Sequence, residues 1–577
     1  MFPACARKSA LGLAPKPNRA RRFGMARHCC QHSTNLATCE ARLFGRTSES
    51  LLMTLAPIQV TYAPHAMVVT VDGLATSAAL AVLHDGGSAV DAAIAANAVL
   101  AVTLPNQCGV GGDLFALVHR PGVPPQVVEA VGRAGSGADV EALRRRGLTA
   151  IPPHEIASVT IPGCVDGWVA LHERYGRLAL ADLMRPAIDY AQNGFPATPF
   201  VANTISGRSA VGEFIEGAGG PVAAGQTLYR RQFAGILRDI AEGGRDAFYC
   251  GAFGAAMRRL GPELFAAEDF RKSQASWTRP LGMEVFGQRI WTPQPPSSGY
   301  LTLSAAWIAE RAGLPASPTD PAWPHVLIEA MRQAAFDRPE VLSDAADGQA
   351  LISRDRLSDR VGGVRRDGVA NLTGSYRPGG TTYVSVVDAE RTAVSLIQSN
   401  CMSFGSRLVA PGTGVWLHNR GIGFNLRQGH PNCLAPNRRP AHTLAPVIVT
   451  DQNDDLIASL GTRGGDSQPQ VVVQLLARLL RAGESPATAL SAGRWILRGK
   501  EDDTSFNTWG FGGDVRVCLE ANTPGEWSSH LGGLGHRVEI EPAFSHAFGH
   551  AHIIEANGNV LQACADPRSG SAAAAGY

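Results

Sequence analysis

Apolar residues recur in short, patterned runs from residue 66 onward, whereas residues 1–53 show no regular apolar spacing. Residues 66–103 begin with a strand-like apolar run and continue as two alanine-rich segments parted by a pair of glycines, which predicts a strand followed by two helices. Ser88 opens the second segment and Asp91 follows three residues later, a variant of the capping box that satisfies free amide groups at a helix start. The small side chains of both segments indicate close helix packing in a core.

Residues 155–200 combine two kinds of pattern. Residues 157–161 are strand-like, residues 180–193 are amphipathic with helical spacing, and Pro-Gly and Gly-Phe-Pro turns separate them from their neighbours. This alternation is typical of mixed α and β structure.

The pattern changes abruptly near residue 380. Residues 351–380 are rich in Arg, Asp, Gly and Ser, show little apolar periodicity and end in TGSYRPGGTT, which predicts a mobile surface linker. Alternating residues at 383–387, a polar turn and a second run at 392–398 then predict a buried hairpin. The hairpin begins directly at the edge of the linker.

The rest of the chain continues in short elements. Strand-like runs at 414–417, 446–450 and 456–461 precede an apolar helix at 471–480, and short strands follow as far as residue 566. The tail SGSAAAAGY shows no core-forming pattern, and no repeat recurs at solenoid periods. Together these elements predict a layered α/β or α+β architecture.

The composition of the 577 residues, 45% hydrophobic and 18% charged, is that of a soluble globular protein. Residues 1–53 hold nine of the 52 Lys and Arg residues and two of the 50 Asp and Glu residues, so the remaining chain is mildly acidic. Basic residues without aromatic interleaving disfavour nucleic-acid binding. The segment also lacks a continuous apolar stretch of signal-peptide length. We interpret it as a transit-like peptide, a disordered tail or, as the favoured reading, sequence upstream of a start at Met53.

Cysteine spacing and hydropathy bear on the compartment. Four of the 11 cysteines lie in residues 1–53, and the other seven form no C-x-x-C pair. No window approaches the length of apolar sequence that a membrane span needs. These features predict a reducing, cytoplasmic environment, no membrane partner and no zinc cluster.

Two local motifs offer other functions. His546, His550 and His552 lie in SHAFGHAHII, but no carboxylate or cysteine nearby completes a metal set, so we expect turn and strand residues and no metal. GVGGD follows an alanine-rich helix and a proline where a dinucleotide loop would follow a strand, which disfavours a dehydrogenase. No cofactor is predicted.

Thr381 has the local setting of an N-terminal nucleophile. A hydroxyl nucleophile needs a base, and the residue's own α-amine serves once the chain is cut between Gly380 and Thr381. Thr381 begins a predicted buried strand and follows Pro378-Gly379-Gly380, where glycine permits a strained backbone. The same pattern also fits an ordinary junction between a loop and a strand.

Longer segments in both halves of the chain resemble the gamma-glutamyltransferase family. Four are similar to its small subunit: TTYVSVVDAERTAVSLIQSNCMSFGS, GTGVWLHNRGIGF, RRPAHTLAP and GTRGGD. Others are similar to its large subunit: GGSAVDAAIAANAVLAVTLP with GVGGDLF, IPGCVDGWVALHERYGRLALADLMRPAIDYAQNGFP, PPSSGY and EAMRQAAFDRPEVLSD. They follow the family order and cover most of residues 66–470.

The resemblance implies a fold, a division of the chain and a nucleophile. The fold is the α+β, four-layer αββα sandwich of N-terminal-nucleophile hydrolases, built jointly by a large subunit at 54–380 and a small catalytic subunit at 381–577. Thr381 takes the position of the family's nucleophile, which is formed by attack of its own hydroxyl on the preceding carbonyl of Gly380. The resemblance leaves open a dimer of such heterodimers.

Further site residues are implied position by position. Gly464 and Gly465 match two glycine amides that stabilise the oxyanion, although they also fit a tight turn before a helix. Ser399 matches a threonine that hydrogen-bonds the nucleophile, and it also fits a buried strand serine. Arg133, in VVEAVGRAG, matches an arginine that grips the substrate carboxylate, or is a lone surface arginine.

The resemblance breaks where the family binds the α-amine of a γ-glutamyl substrate. Gly423 stands at the position of the acidic residue, and Arg420 replaces a typical glutamine. His442-Thr443 replaces a Ser-Ser pair, and Cys401 replaces an asparagine. An ammonium beside Arg420 without a carboxylate would lack partners.

These departures predict an amide whose acyl part carries a carboxylate and lacks the amine, such as an oxamate-like or glutaryl amide. Arg133 would bind the carboxylate with help from Arg420, His442 or Thr443. The pattern resembles the divergent, acylase-like branch of the family, in which hydrolysis outweighs transfer. A true gamma-glutamyltransferase or glutathione hydrolase, and a non-catalytic binding protein on the same fold, stay open as alternatives.

Overall fold

The computed structural model describes residues 58–206, 212, 214–372, 380–499 and 515–577. The predicted leader at 1–53 lies outside these residues, as do Pro378 and Gly379 of the predicted linker.

The strands are numbered along the chain. They are β1 (Val60–Ala63), β2 (Met67–Thr70), β3 (Asp113–Arg120), β4 (Val123–Ala130), β5 (Phe195–Pro196), β6 (Thr227–Leu228), β7 (Ala275–Thr278), β8 (Leu281–Val285), β9 (Gln288–Thr292), β10 (Gly380–Val387), β11 (Ala393–Cys401), β12 (Val409–Ala410), β13 (Val415–Trp416), β14 (Val447–Thr450), β15 (Leu456–Thr462), β16 (Trp495–Arg498), β17 (Arg516–Glu520), β18 (Arg537–Glu541), β19 (Ala551–Asn557), β20 (Val560–Ala565) and β21 (Ala573–Gly576).

The α-helices are numbered in the same way. They are α1 (Gly73–His84), α2 (Ala89–Thr103), α3 (Val140–Arg145), α4 (Cys164–Tyr175), α5 (Leu180–Asn193), α6 (Pro199–Ile205), α7 (Arg231–Tyr249), α8 (Ala252–Leu260), α9 (Ala267–Arg271), α10 (Tyr300–Arg311), α11 (Ala322–Ala335), α12 (Arg338–Val341), α13 (Gly348–Leu351), α14 (Arg354–Val361), α15 (Gln468–Leu476), α16 (Pro486–Ser491) and α17 (Gly525–Gly533). In the described parts of the chain, no helix has both the length and the apolar character needed to cross a bilayer.

Two antiparallel seven-stranded sheets form the centre of the fold. One runs in the order β1-β20-β19-β15-β14-β9-β8 and the other in the order β21-β2-β10-β11-β3-β4-β7. They pack face to face through β2, β10 and β11 of the second sheet and β15, β19 and β20 of the first. Apolar side chains from both sheets, including Phe115, Tyr383, Ile397, Ile448 and Ile554, fill the space between them.

Helices cover the outer face of each sheet. α1, α2 and α4 lie on the second sheet, with α5 and α7 packed behind them, and α10 and α15 lie on the first sheet with α11 and α14 alongside. Each helical layer shares a continuous apolar core with its sheet. The arrangement is helix, sheet, sheet, helix, which confirms the predicted α+β, four-layer αββα fold.

Local patterns placed most of the predicted elements correctly. α2 is buried along its whole length and begins with the predicted capping box, in which Ser88 Oγ accepts from the Asp91 amide while the Asp91 carboxylate accepts from the Ser88 amide. α5 spans the predicted amphipathic residues 180–193. β10 and β11 form the predicted hairpin, and α15 continues as a π-helical turn at Ala477–Arg481.

Two sequence predictions were wrong, and one further strand was not predicted. Residues 157–161 were expected to form a strand, but residues 156–158 form a 3₁₀ turn whose Ser158 hydroxyl binds the Glu155 carbonyl. The predicted linker contains α14, because Leu357 is buried and Arg356 and Arg360 pair with Asp337. The alanine-rich tail forms β21, which needs no large side chains because backbone hydrogen bonds to β2 hold it.

A buried histidine between the sheets makes stability depend on pH. Burial lowers the pKa of His552 to about 4, well below the usual value of about 6.5. Below pH 6.5 this histidine is protonated in the unfolded chain but stays neutral in the folded protein. Its contribution to the free energy of unfolding is therefore lost as pH falls. His552→Gln should therefore gain stability relative to the parent protein by about 1.4 kcal/mol per pH unit between about pH 6.5 and 4.

Glu129 makes stability depend on pH in the opposite direction. Burial raises its pKa to about 7 against the pull of Arg439, so its contribution is lost as pH rises from about 4.3 to 7. Glu129→Gln should therefore gain stability relative to the parent protein as pH rises over this range. Thermal unfolding midpoints of both variants and the parent at pH 5 and 7 test the pair. We expect the midpoint of His552→Gln relative to the parent to be higher at pH 5 than at pH 7, and that of Glu129→Gln to be higher at pH 7. Midpoints that change in the same direction with pH in both variants would contradict these protonation states.

Candidate active site

Thr381 lies at an irregularity in the second sheet. Gly380 pairs with Cys401 while Thr382 pairs with Gln398, so the register shifts across Thr381. Its main-chain N–H therefore leaves the ladder and donates to Gln107 Oε1 at 3.2 Å. Thr381 is fully buried.

The Thr381 hydroxyl has two side-chain partners. Its Oγ1 donates to Ser399 Oγ at 3.4 Å and accepts from Gln468 Nε2 at 3.4 Å. Ser399 Oγ also accepts from the Cys401 amide at 2.8 Å, which fixes the serine rotamer. Hydrogen bonds of this length are common at catalytic groups before substrate binds. The contact between Thr381 and Ser399 is the one expected from the sequence.

Gly464 and Gly465 form the turn between β15 and α15. Their φ angles of 145° and 56° lie in the region that glycine adopts without strain. Arg463, just before the turn, donates to Gln107, and Gln468, just after it, donates to Thr381. The turn is thus held on both sides by residues of the Thr381 cluster.

Arg420 is a buried cation with unused donors. It lies on the 3₁₀ turn at Arg420–Gly423, is 3% exposed, and donates through Nη1 to Thr443 Oγ1 at 3.3 Å. Within the described residues, its Nε and Nη2 have no hydrogen-bond partner. An unpaired buried donor is costly, so these N–H groups are ready to bind an anion.

His442 belongs to a buried cluster around Asp113. Asp113 Oδ2 lies 3.3 Å from His442 Nε2 and 3.4 Å from His418 Nδ1, and Oδ1 accepts from the amides of Gly132 and Gly163. Burial alone would raise the pKa of Asp113, but His418 and His442 hold it well below its usual range.

His442 itself is held neutral. Burial lowers its pKa to about 3, with a further contribution from Arg420, while Asp113 opposes the shift. Its Nδ1 accepts from the Leu444 amide at 3.3 Å. Asp113 lies directly opposite Ser399 in the register of β3 and β11, so this cluster adjoins the partner of Thr381.

Gly423 leaves little room for an acidic side chain. A Cβ built on this residue would lie 2.6 Å from the Ala441 carbonyl oxygen, closer than real contacts allow. An aspartate here would require the backbone to move. Asp113, the nearby carboxylate, already has donors on both oxygens.

Arg133 follows Gly132, whose amide donates to Asp113 Oδ1 at 3.0 Å. Arg133 Nη1 donates to the Ser273 carbonyl at 3.3 Å, and its half-buried guanidinium lies in the field of Arg439 and Asp344. Among the residues that the structure describes, no hydrogen bond or ion pair joins Arg133 to Thr381, Arg420 or His442.

The three histidines of SHAFGHAHII serve the packing of the site. His546 and His550 surround Arg463 through the His546 carbonyl and His550 Nε2, while His552 stacks on Tyr383. Across the described ranges, no three His, Cys, Asp or Glu side chains are placed to hold a metal ion.

Sequence reasoning missed five residues of the site. Glutamines carry no pattern that marks them, and Asp113 and His418 stood inside quoted motifs without a role. The missed residues are Gln107, Asp113, His418, Arg463 and Gln468.

Comparisons with known proteins show the family to which the chain belongs. The family model described as gamma-glutamyltranspeptidase matches residues 75–576. The glutathione hydrolase-like YwrD proenzyme of Bacillus subtilis is 34% identical over 536 residues, covering 88% of this chain and 98% of that protein. The oxamate amidohydrolase proenzyme of Klebsiella pneumoniae is 34% identical over 535 residues, covering 89% and 98%.

A solved structure shows the same fold. Cephalosporin acylase from Bacillus halodurans superposes with a TM-score of 0.82 at 29% identity, covering 90% of this chain and 97% of that protein. With the four-layer fold and the buried Thr381 cluster, these matches identify an N-terminal-nucleophile hydrolase with amidohydrolase or acyltransferase chemistry. The chain belongs to the gamma-glutamyltranspeptidase family.

Proposed function

We propose that the protein is an autoprocessing N-terminal-threonine amidohydrolase that cleaves an amide whose acyl part carries a carboxylate. The observation that carries the substrate class is the buried Arg420, with two nitrogens, Nε and Nη2, that have no partner within the described residues. A carboxylate satisfies such donors in a bidentate pair.

Maturation begins with attack of Thr381 Oγ1 on the Gly380 carbonyl carbon. The peptide C–N bond breaks, the acyl group moves to the oxygen as an ester, and the Thr381 nitrogen becomes a free amine. Water then hydrolyses the ester and releases Gly380 as a carboxylate. The cut divides the chain into residues 1–380, which include the large-subunit region 54–380, and residues 381–577.

Turnover uses the same hydroxyl with the new amine as base. The amine takes the hydroxyl proton as Oγ1 attacks the substrate carbonyl, and it returns the proton to the leaving amine when the amide C–N bond breaks. The amides of Gly464 and Gly465 are the proposed donors to the oxyanion, and Ser399 orients the hydroxyl. Water releases the acyl group in a second attack.

The acyl subsite favours a carboxylate without a neighbouring amine. Arg420 would repel an ammonium, and the Gly423 site cannot accept an acidic side chain without backbone movement. Thr443 holds Arg420, and His442 stays neutral beside it. Arg133 is a second proposed anchor for the carboxylate.

A matched pair of substrates tests this proposal. Glutaryl-p-nitroanilide and γ-glutamyl-p-nitroanilide have the same acyl length, but only the second carries an α-amine. We expect kcat/KM for the glutaryl compound to be at least about tenfold higher, equivalent to about 1.4 kcal/mol, and oxamate hydrolysis tests a shorter acyl group.

Two results would overturn parts of the proposal. Efficient γ-glutamyl turnover would favour a glutathione hydrolase, the activity in the name of several relatives. A single uncleaved 60.8 kDa band without turnover would favour a non-catalytic binding protein.

A further inference from the structure

We propose that Gln107 is a positioning residue for the catalytic base, and that Arg463 acts through it to keep the Thr381 α-amine uncharged at neutral pH. The inference rests on the proposed function, because it concerns the amine that cleavage creates. Gln107 Oε1 lies 3.2 Å from the Thr381 nitrogen and 3.3 Å from Arg463 Nη1.

The orientation of the Gln107 carboxamide follows from its partners. Its oxygen accepts from Thr381 and Arg463, and its Nε2 lies 3.5 Å from the Asn106 carbonyl. Turning the group over would place NH₂ against two donors. A carboxamide oxygen accepts one N–H of a free amine, which leaves the amine lone pair to face the hydroxyl of the same residue.

A second glutamine fixes the hydroxyl from the opposite side. Gln468 Oε1 accepts from the Ala445 amide at 3.1 Å, so its Nε2 must face Thr381 Oγ1. That hydroxyl therefore cannot give its proton to Gln468. Within the described part of the chain, the remaining acceptors are Ser399 and the α-amine, and of these two the amine is the base.

Arg463 supplies the electrostatic effect. It is 4% exposed, and a buried cation near an amine disfavours the ammonium form. Burial lowers the pKa of Arg463 to about 9, so the guanidinium stays charged at neutral pH. Burial also lowers the pKa of His546 and His550, which face it as neutral rings.

Other charged groups stand around the site. The nearby Asp566 carboxylate pairs with Arg494 and Arg568. The charged or titratable groups around Arg420 and His442 are Asp113, Cys401, His418 and Asp466, whereas Cys108 lies in the field of Arg230 and Asp72. Among these groups Arg463 is the cation that shares an acceptor with the Thr381 nitrogen.

The precursor and the mature enzyme should respond differently to loss of Gln107. In the precursor the Thr381 nitrogen is a peptide N–H and cannot act as a base. After cleavage it is the base. Gln107 should therefore matter little for maturation and strongly for turnover.

Three variants test the inference with glutaryl-p-nitroanilide, or with γ-glutamyl-p-nitroanilide if that is the compound turned over. Gln107→Met has similar volume and replaces the carboxamide oxygen with a thioether that is only a weak acceptor, so it should mature fully while kcat falls about 10- to 100-fold. Gln107→Glu keeps the acceptor and adds a negative charge, so kcat at high pH should stay within about threefold while the acidic limb of the kcat profile moves up by about one pH unit. Gln474→Met is the control, since that buried glutamine bonds the Trp495 backbone and the Gln470 carbonyl.

Gln474→Met should lower the midpoint of thermal unfolding but leave the acidic limb of the kcat–pH profile unchanged. A Gln107→Met enzyme with parental kcat, or a Gln107→Glu enzyme with an unmoved acidic limb, would overturn the inference. Failure of both Gln107 variants to mature would also overturn it, because the effect is placed after cleavage. An uncleaved, inactive parent protein would instead overturn the proposed function before any variant is compared.

Discussion

Thr381→Ala is expected to remain a single 60.8 kDa chain and to lose amide hydrolysis by at least about 1000-fold. The variant lacks the hydroxyl that attacks the Gly380 carbonyl, so no α-amine forms, and it also lacks the nucleophile for substrate. Both losses follow from one missing oxygen, which in the native chain contacts Ser399 and Gln468. A denaturing gel and a p-nitroanilide assay on the same sample measure them together.

The neighbouring residue offers a matched control. Thr382 is also a buried threonine of β10, and its hydroxyl lies 3.4 Å from the Gln398 carbonyl. Thr382→Ala removes the same atoms one position away and should still mature and turn over. Thr381→Ser, which keeps a hydroxyl, should cleave more slowly. If Thr381→Ala still matures and hydrolyses amides, Thr381 is not the nucleophile.

Arg420→Met is expected to lower kcat/KM for glutaryl-p-nitroanilide about 100-fold, equivalent to about 2.7 kcal/mol. The substitution keeps a long side chain near Thr443 but removes the buried charge that would pair with the substrate carboxylate. Activity on an uncharged analogue, butyryl-p-nitroanilide, should stay equal or rise, since it presents no carboxylate. The ratio of the two kcat/KM values isolates carboxylate recognition from general damage.

Arg427→Met serves as the control for that ratio. Arg427 follows Arg420 in the same loop, but it is exposed and pairs with Glu340 at the surface. Its loss should leave the ratio unchanged. Equal losses on both substrates in Arg420→Met would assign Arg420 a structural role. A large loss in an Arg133→Met variant instead would place the main anchor there.

Much of the fold could be predicted from sequence because its signals are local. Residues 180–193 show helical apolar spacing, and residues 88–91 carry their own cap, so neither needs tertiary information. The tail could not be predicted, because β21 is held by backbone pairing to a strand some 500 residues away. The apolar run at 157–161 predicted a strand, but the hydrogen bond from the Ser158 hydroxyl to the Glu155 carbonyl favours a 3₁₀ turn.

Some residues of the candidate site could be predicted from the sequence, and others could not. Thr381, Ser399 and the glycine pair were reached through resemblance of long segments, and the structure brings Thr381 into contact with Ser399. Gln107 and Gln468 come from different segments and meet at Thr381 only in the folded chain. No spacing rule connects such residues, because their relation is set by the packing of the two sheets.

Strands from before and after residue 380 alternate within both sheets. β10 and β11 lie between β2 and β3, while β20 to β14 lie between β1 and β9. A cut at residue 380 therefore produces two interwoven chains that cannot separate without breaking both sheets. Neither piece owns a complete sheet, so the two should melt together in one transition, and fragments expressed apart would present long unpaired edges prone to aggregation.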